Sequence, residues 1–483
     1  MLNKKTSAIL TGLLLLAVLV SPVLAAPKSS APLLSKGYRV DRDGWVYVHI
    51  EGKPFERGYQ YGYYCADRIG ESIEVLSYYV ECLGLPWDYL RDCSRMLYWR
   101  NIPPEYKQEI MGIAAGVRAG GYKNVDWVDI LTSNVFFEVF WYYIGWLLYT
   151  GQPLPEHPGW HPKPGHFVLP EITAGCSAFI ATGSYTKDHK IVAAHNSWWD
   201  YITSQFFNTI LYIKPERGHA ILMQCYAGWI WSGPDWIMND AGLLLSETTI
   251  SGVVTYNPRG IPVFVRERYG MQYTDNIDDL IEVMSTSNTG GYANMWIIGD
   301  AKTGEIATME LAVNLEGESI CVVRRTFDGF YGSCNYPLDD KIREEAALAF
   351  DWTDPSTSPY SRYVRWEQLA TLYKGEIDVE LAKEFEADHY DTYLGVPDNP
   401  CDRTLCGHGE DAEAWGYYPT GAFDGKATDS TLILQMKTWA RWGHPCGTPF
   451  DAEEFLEDHP EYEWQRPYLV DYPTQPWRLF KAA

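Results

Sequence analysis

The sequence is short of positive charge: 39 Lys and Arg stand against 63 Asp and Glu, a formal charge of -24. Its basic residues are scattered rather than clustered, so nucleic acid and anionic membrane surfaces would be repelled, and neither is expected as a partner. Metal-binding signatures are missing as well. None of the ten cysteines forms a C-x-x-C pair or a Cys/His cluster at zinc spacing. No metal and no cofactor are therefore expected, and Cys401 and Cys406 read as a loop clip instead. No internal repeat is present. Long apolar runs are rare, and the one inside the chain, NVFFEVFWYYIGWLLY, is interrupted by Glu138 and Gly145. That pattern fits an internal or surface-docked helix, not a membrane span.

The start of the chain is the exception. MLNKKTSAILTGLLLLAVLVSPVLAA joins Lys4 and Lys5 to an apolar stretch from Ile9 to Val20, then Pro22 and the small-residue pattern Val23-Leu24-Ala25 before Ala26. This reads as a secretory signal over residues 1–26, with an apolar run below the ~20 residues that a span needs. The expected destination is extracytoplasmic: periplasmic, extracellular or lysosome-like. Export permits disulfides, but setting Cys176 aside leaves nine cysteines, an odd number, so at least one thiol stays free or pairs outside the chain. The 20 Trp and 35 Tyr fit either a stable core or a pocket for an apolar or sugar-like ligand.

Along the chain, VYVHIEG (46–52) alternates as a strand, and a helical period begins at Gly52-Lys53-Pro54. Further helices are expected from Pro104 to Ala119 and from Asp126 to about Tyr149. Residues 150–170 then hold six prolines and read as an exposed linker, with His157, His161 and His166 in a solvated loop. After it the pattern turns strand-rich: SAFIATGSYT, KIVAAHNSW, TILYIKP, AILMQCYA, GLLLSETTIS, NMWIIGDAKTGEIATMEL and ESICVVRRTFDGFYGS. Helices are expected at Asn276–Ser285 and Ser361–Tyr373. Strands in runs with inserted helices imply an α+β fold, a sheet sandwich covered by helices.

Cys176 follows Gly175 at the mouth of the first of these strands, with His195 nineteen residues on. A cysteine nucleophile needs a base and oxyanion donors. His195 would serve a conventional Cys/His pair. A cut before Cys176 would instead free an α-amine, which titrates at roughly 7.7–8.0 beside a thiol near ~8.5, so the residue becomes its own base. Gly175 favours that route by leaving its carbonyl open and tolerating unusual dihedrals.

CSAFI, IVAAHNSWWDY, GLLLSETTI, TGGYANMWIIGD and SCNYP, in this order, resemble the phospholipase B-like family of N-terminal nucleophile (Ntn) hydrolases, and FERGYQYG, SRYVR and GHPC mark a wider relatedness. The likeness extends to the penicillin acyltransferase group and, more distantly, to choloylglycine hydrolases. It covers roughly residues 46–446 and implies a four-layer αββα sandwich with an N-terminal helical pro-segment. It further implies self-cleavage at Gly175-Cys176, separating a helical fragment (27–149) and linker (150–175) from a catalytic fragment (176–483), with both pieces staying associated. Cys176 matches the nucleophile, His195 the nearby histidine, and Asn335 the oxyanion-hole asparagine. Thr248 or Thr249 would give a backbone donor. Asn294 matches the family pattern with its role open. Arg362 resembles a nucleophile-supporting arginine of choloylglycine hydrolases, and Arg365 reads as a structural ion-pair partner. The aspartate that choloylglycine hydrolases place soon after the nucleophile is absent here, where His195-Asn196 and only later Asp200 occur.

The resemblance implies a cysteine hydrolase cutting a linear amide of a small acyl-linked or lipid-like substrate through a thioester, with phospholipid or lysophospholipid ester deacylation as the alternative. A papain-type protease would leave Gly175-Cys176 uncut, and its C-G-x-C-W surround is missing. A non-catalytic exported ligand binder would tolerate loss of Cys176.

Overall fold

The computed structural model of the chain describes residues 31–158, 160, 175–409 and 419–482. The expected signal, and His161 and His166 of the linker, lie outside the described residues.

Sixteen strands are found among the described residues. In chain order they are β1 (Tyr38–Arg42), β2 (Trp45–Gly52), β3 (Cys176–Thr182), β4 (Val192–Asp200), β5 (Thr209–Pro215), β6 (Ile221–Cys225), β7 (Trp236–Asn239) and β8 (Leu243–Thr249). There follow β9 (Asn294–Asp300), β10 (Glu305–Val313), β11 (Ser319–Thr326), β12 (Gly329–Ser333), β13 (Thr420–Ala422), β14 (Asp424–Asp429), β15 (Lys437–Trp442) and β16 (Arg478–Lys481). Nine of them form one sheet in the order β1-β2-β5-β6-β7-β8-β9-β10-β11, antiparallel except for the parallel β2–β5 pair. The second sheet runs β12-β3-β4-β14-β15-β16, with β13 paired to β4. β3 packs across the gap onto β8, β9 and β10, so the sheets meet face to face around it. Every residue of β3, β8 and β9 is buried, including the polar Ser246, Glu247, Thr248 and Thr249 of β8.

Helices lie against both sheets. Pro54–Tyr64 packs on β2, Ile277–Ser285 on β9 and β10, Ser358–Leu372 on β12, and Val379–Glu386 on β4 and β14. The first of these touches Pro104–Ala119 backbone to backbone. A Cβ on Gly58 would lie 2.1 Å from Glu109 O, and one on Gly62 would lie 2.0 Å from Ile113 O. FERGYQYG therefore carries its glycines for close helix contact, and buried Arg57 seals the crossing through Glu109 at 2.6 Å.

Several expectations change. The helix expected over 126–149 is three pieces: Trp127–Asn134, a π-helix at Phe137–Tyr143, and Ile144–Tyr149. Glu138, read as an interruption, is fully buried there, accepting the Val263 N–H at 2.9 Å and the Thr289 hydroxyl at 2.5 Å. The helix expected from Ser361 begins at Ser358, because Pro359 suits a first turn that needs no N–H. His157 is not a solvated loop residue: Nδ1 lies 3.3 Å from an Asp92 oxygen and its ring meets Tyr89 edge-on. Cys401 and Cys406 do not clip a loop, and all ten cysteines are free thiols. Cys401 Sγ sits 3.7 Å from Asp391 Oδ2, while Cys406 faces a different cluster. Among the described residues no helix is long and apolar enough to cross a membrane.

Candidate active site

Cys176 opens β3 between the sheets, opposite Ser197 of β4 and 4% exposed. The Gly175-Cys176 peptide is held at both its carbonyl and its N–H, and the carbonyl of the following peptide is held as well. The Gly175 carbonyl accepts the Trp198 N–H at 2.8 Å, the Cys176 N–H donates to Asn335 Oδ1 at 3.0 Å, and the Cys176 carbonyl accepts from Arg362 at 2.5 Å. Arg362 also donates to Asn335 Oδ1 at 2.9 Å and lies over the Trp198 ring, 4.3 Å from its centroid. It is fully buried and has no carboxylate within ion-pair distance among the described residues, so it is no structural ion-pair partner. Arg365 is one, bound bidentately by Asp388 at 2.9 and 2.6 Å.

Packing adds a requirement for glycine at 175: a Cβ there would fall 1.9 Å from Cε3 of Trp198. Steric room beneath the indole is what the position demands.

Asn335 sits in the left-handed region at φ 67°, pinned by its N–H on Thr248 Oγ1 at 3.0 Å. Its Nδ2 donates to the Thr249 carbonyl at 2.6 Å, while its oxygen holds the Cys176 nitrogen. Asn335 thus grips the Gly175-Cys176 amide rather than facing an open oxyanion site. Thr249 lines the Cys176 pocket; Asn294, opposite it in the β8–β9 ladder, is fully buried with neither amide atom hydrogen-bonded.

His195 is brought to Cys176. The Cys176 sulfur, a His195 nitrogen and an Asp235 carboxylate oxygen lie within 4.8 Å of one another, and His195 Nε2 is 3.9 Å from Asp235 Oδ2. These three side chains are a possible ligand set for a metal, which the sequence reading did not foresee. Burial holds the imidazole well below its usual pKa, with Lys426 adding repulsion, so it is neutral. Burial also pushes the Cys176 thiol up to about 12, with nearby Glu247 as the second cause. Asp235 is raised by burial and by Glu247, and Glu247 itself is lifted by burial to about 7. Burial and the interaction between the two carboxyls favour one of them holding a proton.

Asp235, Glu247, Tyr292, Ser197 and Lys426 were not singled out from sequence. The Tyr292 hydroxyl donates to Asp235 at 3.1 Å, and both residues have positive φ, 55° and 66°. Three non-glycine residues at positive φ in one site mark stored backbone strain. Lys426 Nζ binds Asp424 at 2.9 Å, Ser197 Oγ at 2.7 Å and the Pro234 carbonyl at 3.0 Å. A carboxyl does stand beside Cys176 and His195: that of Asp235, on the turn before β7, for which Gly233-Pro234-Asp235 was the available turn signal. Asp200, by contrast, caps the short helix Tyr201–Ser204 through the Thr203 N–H at 2.9 Å. Beside Cys176 the walls are aromatic, with Phe137, Trp199, Phe207 and Tyr292 around about 20 Å³, room for one water.

No protein-family model matches the chain. An uncharacterized protein of Archaeoglobus fulgidus is 24% identical over 375 residues, spanning 72% of this chain and 59% of that one. Phospholipase B-like 1 of Bos taurus is 22% identical over 295 residues, spanning 55% and 51%. The chain is similar to a phospholipase B-like protein. The likeness first read from CSAFI, SETTI and SCNYP is thereby supported, although the matches span only about half of these relatives' length. Among solved structures, a cysteine-to-alanine mutant and an arginine-to-leucine variant of the conjugated bile acid hydrolase from Clostridium perfringens align. Their TM-scores are 0.35 and 0.36 at 13% and 12% identity, covering 55% of this chain and 89% of theirs. A likeness of that extent carries no weight below.

Proposed function

We propose that the chain is an exported cysteine hydrolase of the N-terminal nucleophile type, which cuts itself between Gly175 and Cys176 and then hydrolyses an acyl amide. The observation that carries this reading is the two-ended grip on the Gly175-Cys176 peptide, through the Gly175 carbonyl and the Cys176 N–H, with Arg362 holding the next carbonyl. The Trp198 N–H polarises the Gly175 carbonyl. Cys176 Sγ adds to that carbonyl carbon, the C–N bond breaks as the nitrogen takes up the thiol proton, and a thioester forms. Water then cleaves the thioester to a Gly175 carboxylate, a free thiol and a free α-amine.

In turnover the α-amine takes the thiol proton, sulfur attacks the substrate carbonyl, the leaving amine takes the proton, and water releases the acid. Asn335 Nδ2 has two hydrogens and spends one on Thr249, so the other remains for the oxyanion, joined by a backbone N–H near Thr249. Neutral His195 and the proton held by Asp235 or Glu247 would buffer the thiol's proton. Residues 1–26 act as the signal, 27–149 as the helical fragment, 150–175 as the linker and 176–483 as the catalytic fragment. Helices against both sheets support the four-layer αββα reading, and β1 and β2, with β2 paired between β1 and β5 in the larger sheet, support fragments that stay together.

Ester deacylation is the second reading, favoured by the name of the bovine relative and the aromatic pocket. Quenching the processed protein during turnover of a fatty-acyl amide, or of a lysophospholipid, distinguishes the two. A hydroxylamine-sensitive acyl adduct on Cys176 is expected with the amide, and is absent from Cys176→Ala. Adduct from the lysophospholipid alone would transfer the assignment to esters, and none with either would exclude acyl transfer at Cys176.

A further inference from the structure

We propose that a single zinc ion is bound by His389, Cys406, His408 and Cys446, as a structural centre behind the nucleophile. One ligand atom from each of these residues lies within 4.8 Å of every other. Nε2 of His408 is 3.2 Å from Nε2 of His389 and 3.2 Å from Sγ of Cys446. Two nitrogens on a tetrahedral zinc at about 2.0–2.1 Å each would stand about 3.3 Å apart, and Cys2His2 is a closed structural ligand set.

The surrounding contacts point the lone pairs inward. His389 Nδ1 lies 3.1 Å from Asp398 Oδ1, so the carboxylate accepts a hydrogen bond from Nδ1–H and leaves Nε2 bare toward the cluster. A carboxylate, a histidine and a vacant nitrogen in line is the arrangement metal-bound histidines use. The His408 ring is stacked on His444 at 4.3 Å, and His444 Nε2 is fixed by the Tyr201 hydroxyl at 2.6 Å. The Thr448 N–H donates to Cys446 Sγ at 3.4 Å, as to a thiolate. Cys406 is fully buried. Two sulfurs and a bare nitrogen converging in a largely buried space lack an electrophile, and a divalent cation supplies one. A disulfide between Cys406 and Cys446 would use the sulfurs but leave the imidazoles facing each other without purpose.

The centre would brace the scissile site. Between two of the ligands, Gly407 lies against Trp198, where a Cβ would fall 1.8 Å from Cζ2 of the indole. Trp198 is the residue that covers Gly175, stacks on Arg362 and donates to the Gly175 carbonyl. Its Nε1 donates to Asn196 Oδ1 at 2.6 Å, and Asn196 in turn donates to the Leu405 carbonyl at 2.9 Å. Metal at the centre would hold the 405–408 loop, and with it the indole, against the bond to be cut.

The test is metal analysis of the full chain purified without immobilised-metal chromatography, with cobalt exchange. About one zinc per chain is expected, together with the strong visible bands of tetrahedral thiolate-bound cobalt after exchange. Cys446→Ser and His389→Ala should lose the metal, Cys401→Ser should keep it, and Asp398→Asn should weaken binding about 10–100-fold. The proposal is overturned by a Cys406–Cys446 disulfide in metal-free protein. It is equally overturned by free thiols that take up neither zinc nor cobalt, a readout independent of whether the variants fold.

Discussion

Gly175, Trp198, Asn335 and Arg362 define the residue scale, because each touches the peptide joining residues 175 and 176 or the group that covers it. A methyl on residue 175 would overlap the indole, and overpacking of that kind costs typically about 1–3 kcal/mol. Gly175→Ala should therefore stay folded, as seen by circular dichroism, yet leave the chain uncut, because the carbonyl is pushed off the Trp198 N–H. Cutting at the wild-type rate would show that the indole contact is irrelevant. Asn335→Ala removes both the grip on the nitrogen and the amide donor. Its acyl-transfer rate should fall about 10²–10³-fold, and full activity would remove Asn335 from the site. Much of this was legible in sequence: Cys176, His195, Asn335, Thr249 and Arg362 do converge, and each had been singled out from a short motif. Asp235, Tyr292 and Lys426 were not, because turn residues at positive φ and an inward lysine become visible only once both sheets are packed.

The π-helix Phe137–Tyr143 shows what matters at the scale of elements. It delivers Phe137 to the pocket, 4.9 Å from Trp199 and 5.1 Å from Tyr292, and buries Glu138 one residue later. Phe137→Ala should cost about 3–5 kcal/mol and widen the pocket. The processed enzyme should then gain kcat/KM for bulkier acyl groups relative to small ones, and an unchanged ratio would take Phe137 out of the specificity wall. Burial raises the Glu138 carboxyl to about 7 despite the Thr289, Arg266 and Val263 contacts. The native state thus holds this proton where the unfolded chain releases it. Glu138 favours the fold most below about pH 4.5, and that advantage drains away up to about pH 7. The full swing is about 3 kcal/mol. Glu247 and Asp200, raised by burial to about 7 and about 6, add to the slope in the same direction. Urea midpoints of Glu138→Gln should be flatter with pH than wild type across that window, and parallel curves would contradict the assignment. From periodicity this segment read as one long helix, since a wide turn leaves the apolar pattern unbroken while shifting the face it presents.

For the whole molecule, the strand runs and the α+β class were readable, but the partition of strands was not. β1 and β2 precede the linker yet complete the sheet whose other strands follow it, through the parallel β2–β5 pairing that no local pattern announces. The Cys/His cluster escaped notice for the same reason: its ligands are spread from 389 to 446 and only the fold collects them. Because β2 is an integral strand, cutting the chain should not release the N-terminal piece. The fragments should co-elute on gel filtration and separate only in denaturant; separation in native buffer would contradict the shared sheet. The most direct measurement is the intact mass of purified wild type beside Cys176→Ala under denaturing conditions, at mildly acidic and neutral pH. Wild type should give two chains, the larger beginning with Cys176, and the variant one. A wild-type protein that stays a single uncut chain would contradict self-processing.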